Sequence, residues 1–176
     1  MLNFIPVLLV IANMQALQPV IIKTPELEIR FMPRTPNQMA SFYEARGFPK
    51  DMVDVIKRQC YITVGITNNS EQRIWLDLSK WEFSAAGKPL EREHRDSWKQ
   101  RWATMGMPLS KQSTFRWTLL PEALDYLPGE HEGGNILLPF TREPVSLTAS
   151  FASGENKQGK QIIITTDKLY CAEDAQ

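Results

Sequence analysis

Residues that most often carry catalysis or bind metals are scarce in this sequence. Among 176 residues there are only two histidines and two cysteines. Paired-histidine metalloprotease, nucleotide-binding glycine-loop, GxSxG and double CxxC motifs are all missing, so the usual hydrolase, nucleotide and zinc signatures fail. Cys60 has neither a neighbouring base nor a helix N-terminus in its local sequence to activate its thiol. The sequence therefore predicts a protein that is not an enzyme and has no cofactor.

An excess of charge of one sign is also lacking. Twenty basic residues balance twenty acidic ones, so the formal net charge is zero. Without a global field, binding to a phosphate backbone or an anionic bilayer would depend on a local patch. No apolar run reaches the roughly 20 residues that a membrane-spanning helix needs. The composition thus predicts one globular domain with no nucleic-acid partner and no membrane span in the mature form.

A short apolar run near the N-terminus is the targeting signal in the chain. FIPVLLVIA, from Phe4 to Ala12, is typical of the core of a signal peptide, with cleavage after Ala12 or Ala16. No lysine or arginine precedes it, and a buried first strand is the alternative. We predict a signal peptide or N-terminal apolar segment at 1–16, then a single domain at 20–176. This organisation predicts a periplasmic or secreted protein.

The two cysteines lie far apart in the sequence. Cys60 opens one predicted strand, and Cys171 follows the last one. A bond between them would close a loop of more than a hundred residues, for which chain entropy gives about 4 to 5 kcal/mol of stabilisation. The alternative is a pair of unrelated buried thiols in a cytosolic protein. Since export would permit the bond, we predict a disulfide between Cys60 and Cys171.

Alternation of apolar and polar residues runs through many segments. In CYITVGIT, residues 60–67, every second residue is cysteine, isoleucine or valine, which is the period of a half-buried strand. The same reasoning predicts strands at 26–32, 74–78, 81–85, 114–119, 135–140, 145–151 and 161–166. Polar turn clusters such as NNSEQ and SGENKQGK separate them. About seven or eight such strands predict a mainly β protein, an antiparallel β-sandwich.

Helical patterns interrupt the strands in two places. Thr35 is a predicted N-cap, followed by Pro36 at the first helical position and Gln38 at the capping-box position. With a second short helix, this predicts an insertion of two helices at about 35–58. Another helix is predicted at about 91–104, where His94, Trp98 and Trp102 recur every four residues on one face.

At the level of fold the sequence resembles the immunoglobulin-like sandwiches common among bacterial envelope proteins. The resemblance is carried by ITVGITNNS, a strand running into a polar turn, and by LDYLPGE, a Pro-Gly-acidic turn before the next strand. It implies an immunoglobulin-like fold and carries no activity with it, because one fold hosts many functions.

Aromatic and basic residues suggest a contact surface. Trp98 and Trp102 lie beside Arg95 and Arg101, a combination that often anchors protein interfaces. Trp75 alternates with core-facing neighbours and so points away from the core. These five residues predict a non-enzymatic binding or assembly module of the bacterial envelope that contacts a protein partner. The alternative is that Trp98 and Trp102 pack inward and fasten the insertion to the sandwich.

Methionine and histidine suggest a different function. Met105 and Met107 form the turn MGMP, and thioethers with imidazole suit Cu(I). His94, or His131 in a predicted HEGG loop, would complete such a site if the loop lay beside the turn. The sequence therefore leaves open a periplasmic copper-type metal carrier, as well as a small-molecule or peptide site between insertion and sandwich.

Overall fold

A computed structural model describes residues 17–174, in which nine strands and four α-helices form a β-sandwich with helical insertions. The strands are β1 Val20–Lys23, β2 Leu27–Arg34, β3 Gln59–Asn68, β4 Ile74–Ala85, β5 Lys88–Pro89, β6 Ala123–Tyr126, β7 His131–Pro139, β8 Val145–Ser153 and β9 Ile162–Leu169. The helices are α1 Pro36–Glu44, α2 Lys50–Ile56, α3 Arg95–Thr104 and α4 Leu109–Thr118. The predicted signal segment, 1–16, lies outside the described residues.

Two antiparallel sheets make the sandwich. The first sheet has the order β1-β2-β3-β7, and the second has the order β5-β4-β8-β9 with β6 also paired to β4. Strands β2, β3 and β7 thus pair as strands A, B and E of an immunoglobulin domain do, and β4, β8 and β9 pair as C, F and G. The predicted antiparallel β-sandwich with helical insertions is confirmed.

The core lies between the two sheets and follows the period of two. On β3, Cys60, Ile62, Val64 and Ile66 are buried and face the second sheet. Ile62 pairs in register with Ile136 of β7, so both strands present the same face to the core. Matching apolar positions on the other strands complete it, among them Leu27, Ile29, Phe31, Leu76, Trp81, Phe83, Leu147, Ala149, Phe151, Ile162 and Ile164.

The predicted strand at 114–119 is wrong, because residues 114–118 belong to α4 and Leu119 is its C-cap. Phe115 and Leu119 are both buried, and Trp117 between them is exposed. Positions four apart share one face of a helix as well as one face of a strand, so two apolar residues at this spacing satisfy both periods. The helix forms because it buries Phe115 against Trp98 and Trp102 of α3.

Other differences are smaller. The capping box of Thr35 and Gln38 is present, and the αα insertion is confirmed. Helix α3 starts at Arg95, later than predicted, because His94 is its N-cap. The predicted strands 74–78 and 81–85 are one strand, β4, with an irregularity in its pairing to β8. The predicted HEGG loop is wrong, since His131 begins strand β7.

Gly134 of β7 lies against the backbone that leaves α4. A Cβ at this position would lie 2.4 Å from the backbone nitrogen of Leu120 and 2.6 Å from its Cα. We expect Gly134→Ala to lower the free energy of unfolding by about 2 kcal/mol, because backbone cannot move aside as a side chain can. Gly65→Ala is the control, since its Cβ would meet only the exposed His131 ring, at 3.1 Å. Urea unfolding of both variants checks this, and equal stability would contradict it.

Candidate functional site

Two helical hairpins form one layer over the outer face of the first sheet. The pair α1–α2 joins β2 to β3, and the pair α3–α4 joins β5 to β6. Tyr61 of β3 and Leu137 of β7 pair in register and point away from the sandwich core into this layer. The layer has its own apolar core, built from Met39, Ala40, Tyr43, Phe48, Met52, Val53, Ile56, Tyr61, Trp98, Trp102, Phe115, Leu119 and Leu137.

Glu122 and His94 hold the start of α3 in place. The Glu122 carboxylate, just before β6, accepts hydrogen bonds from Arg92 Nη1 at 3.0 Å and from the backbone N–H of Arg95 at 2.8 Å. His94 Nδ1 accepts a hydrogen bond from the backbone N–H of Asp96 at 3.1 Å. These contacts satisfy backbone donors that the first turn of a helix leaves without partners. The orientation of α3 is therefore fixed from the sandwich side.

Trp98 and Trp102 are core residues of the helical layer. Each is 1% exposed, and their ring centroids lie 5.3 Å apart. Both rings also contact Phe115 of α4, with centroids at 5.3 and 5.1 Å. The prediction that these two tryptophans contact a partner is therefore corrected, because their surface is used up inside the layer. They pack inward, as the alternative prediction stated.

Arg95 and Arg101 lie at the edge of this aromatic cluster. The Arg101 guanidinium lies over the Trp98 ring, 4.4 Å from its centroid, and forms an ion pair with Glu93. Arg95 donates a hydrogen bond from Nη2 to the backbone oxygen of Arg116 on α4. Partial burial and then the charge of Arg116 lower the pKa of Arg95. Both arginines are half-buried.

A groove runs between α3 and α4. Its volume is about 360 Å³, and its floor is formed by Trp98, Trp102 and Phe115. The polar and charged side chains along its rim are Arg95, Asp96, Lys99, Gln112, Ser113 and Arg116. The rim carries three cationic side chains, Arg95, Lys99 and Arg116, and one carboxylate, Asp96. Asp96 forms an ion pair with Arg116 at 2.9 Å. The rings of the floor are themselves buried, so the apolar side chain that the lining exposes is Leu109. A basic rim with an exposed leucine suits a partner segment that is apolar and acidic.

Two large apolar side chains of α4, the helix that lines one side of the groove, are exposed, and sequence reasoning missed them as site residues. Leu109, at the first position of α4 and on the groove lining, is 81% exposed. Trp117, near the end of the same helix, is 82% exposed. An exposed tryptophan is unusual and is among the side chains most enriched at interfaces. A helical reading of α4 would have found Trp117, since Phe115 takes the buried face.

Trp75 lies on a different side of the molecule. It is on β4, between the buried Ile74 and Leu76, and points outward from the second sheet, as predicted. Its ring is half-buried, and its Nε1 donates a hydrogen bond to the backbone oxygen of Gly154 at 2.9 Å. The predicted binding residues therefore do not form one surface.

The proposed metal ligands are not brought together either. His94 precedes α3 and Met105 follows it, so the two are about 16 Å apart along the helix axis at 1.5 Å per residue. His131 is six residues from Leu137, which the helical layer covers, or about 20 Å along β7. Met105 and Met107 pack against the helical core. Residues 17–174 contain no group of three or more His, Cys, Asp or Glu side chains positioned for a metal ion.

Two buried tyrosines lie under the helical layer and form a hydrogen-bonded chain. Tyr61 donates a hydrogen bond to Tyr43 at 3.3 Å, and the Tyr43 hydroxyl lies 2.7 Å from Thr118 Oγ1. Burial is the main cause that raises the pKa of Tyr61 well above 10. A raised folded pKa adds stability that is complete below the unfolded pKa, near 10, and is lost as pH rises toward the folded value.

We therefore expect the wild type to lose more stability than Tyr61→Phe as pH rises above about 10. Chemical unfolding at neutral pH and at about pH 11 measures the difference. Tyr170→Phe is the matched control, because Tyr170 is only half-buried and donates to the Gln18 backbone oxygen near the surface. Parallel loss of stability in the wild type and Tyr61→Phe would contradict the expectation.

Cys60 and Cys171 lie at bonding distance. Their sulfur atoms are 2.07 Å apart and their Cα atoms are 5.0 Å apart, across 111 residues of sequence. Cys60 is the second residue of β3 in the first sheet, and Cys171 follows β9 in the second sheet. The predicted pair is thus positioned for a disulfide that joins the two sheets at the edge of the core.

Comparisons with known proteins define no family. No family profile matches the sequence, and no curated protein is significantly similar to it. The crystal structure of a "putative lipoprotein (ycdA)" from Bacillus subtilis is similar at 9% sequence identity and a TM-score of 0.43. The match covers 84% of this chain and 38% of that one, so the chain spans well under half of its length.

The helices in the described part of the chain are too short to cross a bilayer. None of those within residues 17–174 combines the required length with sufficient apolar character.

Proposed function

We propose that the protein is an exported, disulfide-bonded binding module that contacts a protein partner through α3 and α4. The surface in question, here called the helical contact face, consists of the groove, whose lining includes Arg95, Lys99, Leu109 and Arg116, and of Trp117 on α4. The observation that carries the proposal is the exposure of Leu109 and Trp117 on the helix that lines this basic-rimmed groove. Because both side chains are more than 80% exposed, neither contributes to the packing of the helix.

The export part of the proposal is supported by the cysteine pair and by the N-terminal apolar segment. Disulfides persist in oxidising compartments and are rare in the cytosol. Cys60 is 1% exposed, and Cys171 is 9% exposed, so the bond would be shielded from reductants once formed. The site of action in this proposal is the periplasm or the cell exterior, and the module has no catalytic role.

The partner segment is proposed to be acidic and apolar. Arg95, Lys99 and Arg116 outnumber the one carboxylate on the groove rim, Asp96. A rim charge mainly changes the association rate and its dependence on salt, whereas a desolvated aromatic anchor governs dissociation. The proposal therefore gives Trp117 the larger share of affinity and the basic rim the larger share of steering.

Site-specific photo-crosslinking in the intact cell tests the contact face. A photoreactive residue is placed at Trp117 and, as the matched control, at Thr165, an exposed position on the outer face of β9. We expect one discrete adduct from position 117, none from position 165, and loss of that adduct when Lys99→Glu and Arg116→Glu are added. Absence of an adduct at 117, equal adducts at both positions, or an adduct indifferent to the charge reversal would contradict the proposal.

A further inference from the structure

The outer face of the second sheet carries a cleft that the proposed function does not use. Its volume is about 290 Å³, near the lower end of ligand pockets, which hold about 300 to 1,000 Å³. We call it the Trp75 cleft, and its main side chains are Trp75, Asp77, Lys80, Ser150, Lys157 and Gln161. These residues come from β4, β8 and the connection between β8 and β9. The helical contact face and this cleft share no residue.

A large bulge in β4 builds one wall of the cleft. Pairing between β4 and β8 stops at Leu76 and Phe151 and resumes at Trp81 and Ala149. The segment 77–80 of β4 therefore lies opposite Ser150 alone. Bulges of this kind are enriched next to functional sites, where they redirect side chains that a regular strand would place elsewhere. Here the bulge carries the charged side chains of Asp77 and Lys80.

The loop between β8 and β9 builds the opposite wall, and its conformation is strained. Asn156 and Lys157 follow each other with φ of 54° and 63°, both in the left-handed region. Non-glycine residues are uncommon there and persist where the surrounding structure imposes them. Such strain occurs preferentially at ligand clamps. In this loop it places the Lys157 ammonium 5.3 Å from the centre of the Trp75 ring.

Hydrogen bonds hold both ends of this loop to the sheet. Trp75 Nε1 donates to the Gly154 oxygen at 2.9 Å, and the Gly154 N–H donates to the Arg73 oxygen at 2.8 Å. At the other end, Ser153 Oγ donates to the Lys160 oxygen at 2.7 Å. The loop is therefore positioned before any ligand arrives, which lowers the entropic cost of binding.

Among the charged groups of the cleft, Asp77 has close hydrogen-bond partners, whereas the two lysines lie beyond ion-pairing distance of a carboxylate in the described residues. The Asp77 carboxylate accepts hydrogen bonds from the Ser79 N–H at 3.0 Å and the Ser79 hydroxyl at 2.6 Å. Within the described residues, neither Lys80 nor Lys157 has a carboxylate oxygen within 4.0 Å. The cleft thus carries two ammonium groups and one carboxylate, Asp77, on which both lysines act from beyond 4.0 Å. A ligand with an anionic group would supply a close ion-pair partner.

We propose that the Trp75 cleft binds an acidic saccharide. Arg73 and Lys157 lie over the Trp75 ring, 5.4 and 5.3 Å from its centroid, and the part of the half-buried indole that they leave uncovered offers an apolar surface for the C–H groups of a sugar ring. Ser150, Gln161 and Asp77 offer hydroxyl-binding groups. Lys80 and Lys157 provide the charge that selects a carboxylated sugar over a neutral one. The bulge and the strained loop are separate departures from a regular sheet, and both lie beside the outward-pointing Trp75 at this cleft.

NMR titration of the isotopically labelled protein tests the proposal. Five tryptophans give few indole N–H signals, and the Trp75 signal is assigned by its loss in Trp75→Phe. Tetragalacturonate is the acidic probe, and maltotetraose is its neutral counterpart. We expect tetragalacturonate to shift the Trp75 signal saturably and maltotetraose to bind at least about tenfold more weakly, a difference of about 1.4 kcal/mol.

Charge variants decide whether the cleft itself is responsible. We expect Lys80→Gln and Lys157→Gln each to weaken tetragalacturonate binding about tenfold. Lys168→Gln on β9, an exposed lysine outside the cleft, is expected to leave it unchanged. No saturable shift of the Trp75 signal at about 10 mM saccharide would overturn the proposal. Equal binding of the neutral probe, or equal weakening by Lys168→Gln, would also overturn it, and none of these results bears on the helical contact face.

Discussion

Replacing Cys60 and Cys171 together with alanine is expected to lower the free energy of unfolding by about 3 to 5 kcal/mol. The bond closes 111 residues of sequence, and in the chain-entropy model a loop of about 100 residues contributes about 4.7 kcal/mol. A domain of ordinary stability has about 5 to 15 kcal/mol in total. The variant should therefore keep its fold only marginally.

Urea unfolding with and without reductant distinguishes the bond from the side chains. Reducing the wild type should reproduce most of the loss seen in the double variant, and the variant itself should not respond to reductant. Alanine is preferred to serine because both positions are buried and a hydroxyl would need a partner there. If the wild type unfolds at the same urea concentration with and without reductant, the two sulfur atoms are not bonded.

Trp102→Ala is expected to destabilise the protein by about 3 to 5 kcal/mol. The ring is 1% exposed and contacts Trp98 and Phe115, so its loss leaves a cavity at the centre of the helical layer. The layer joins helices from two distant parts of the chain. Opening it should therefore expose Tyr61 and the outer face of the first sheet.

Trp117→Ala is the matched control for this prediction. Trp117 is a tryptophan on the helix that packs against Trp102, but it is 82% exposed. Its replacement should change the free energy of unfolding by no more than about 0.5 kcal/mol. Thermal unfolding of both variants measures the contrast. A comparable loss of stability in the two variants would contradict the assignment of Trp102 to the core and Trp117 to the contact face.

The sandwich itself could be predicted because its signals are local. The alternation in β3, the capping box at Thr35 and the position of Cys171 after the last strand each depend on a few neighbouring residues. Each of these features is dictated by backbone periodicity or cap chemistry, which a single sequence displays directly.

The contact face could not be predicted because it depends on packing between distant segments. Phe115 fits a strand or a helix equally well, and only the tryptophans of α3 decide between them. When the segment is a helix, Trp98 and Trp102 are buried against Phe115 and Trp117 is exposed. The Trp75 cleft was hidden for a similar reason, since the bulge at 77–80 appears only when β4 is paired with β8.

The intact mass of the protein tests its assignment as an exported, disulfide-bonded module most directly. The protein is purified from the cell envelope without reductant, with free thiols blocked by an alkylating agent during lysis. The predicted result is a chain that starts at residue 13 or 17, is two hydrogens lighter than the reduced form, and carries no alkyl group on Cys60 or Cys171. A chain that retains residues 1–16 and carries two alkylated thiols would contradict export and the disulfide together.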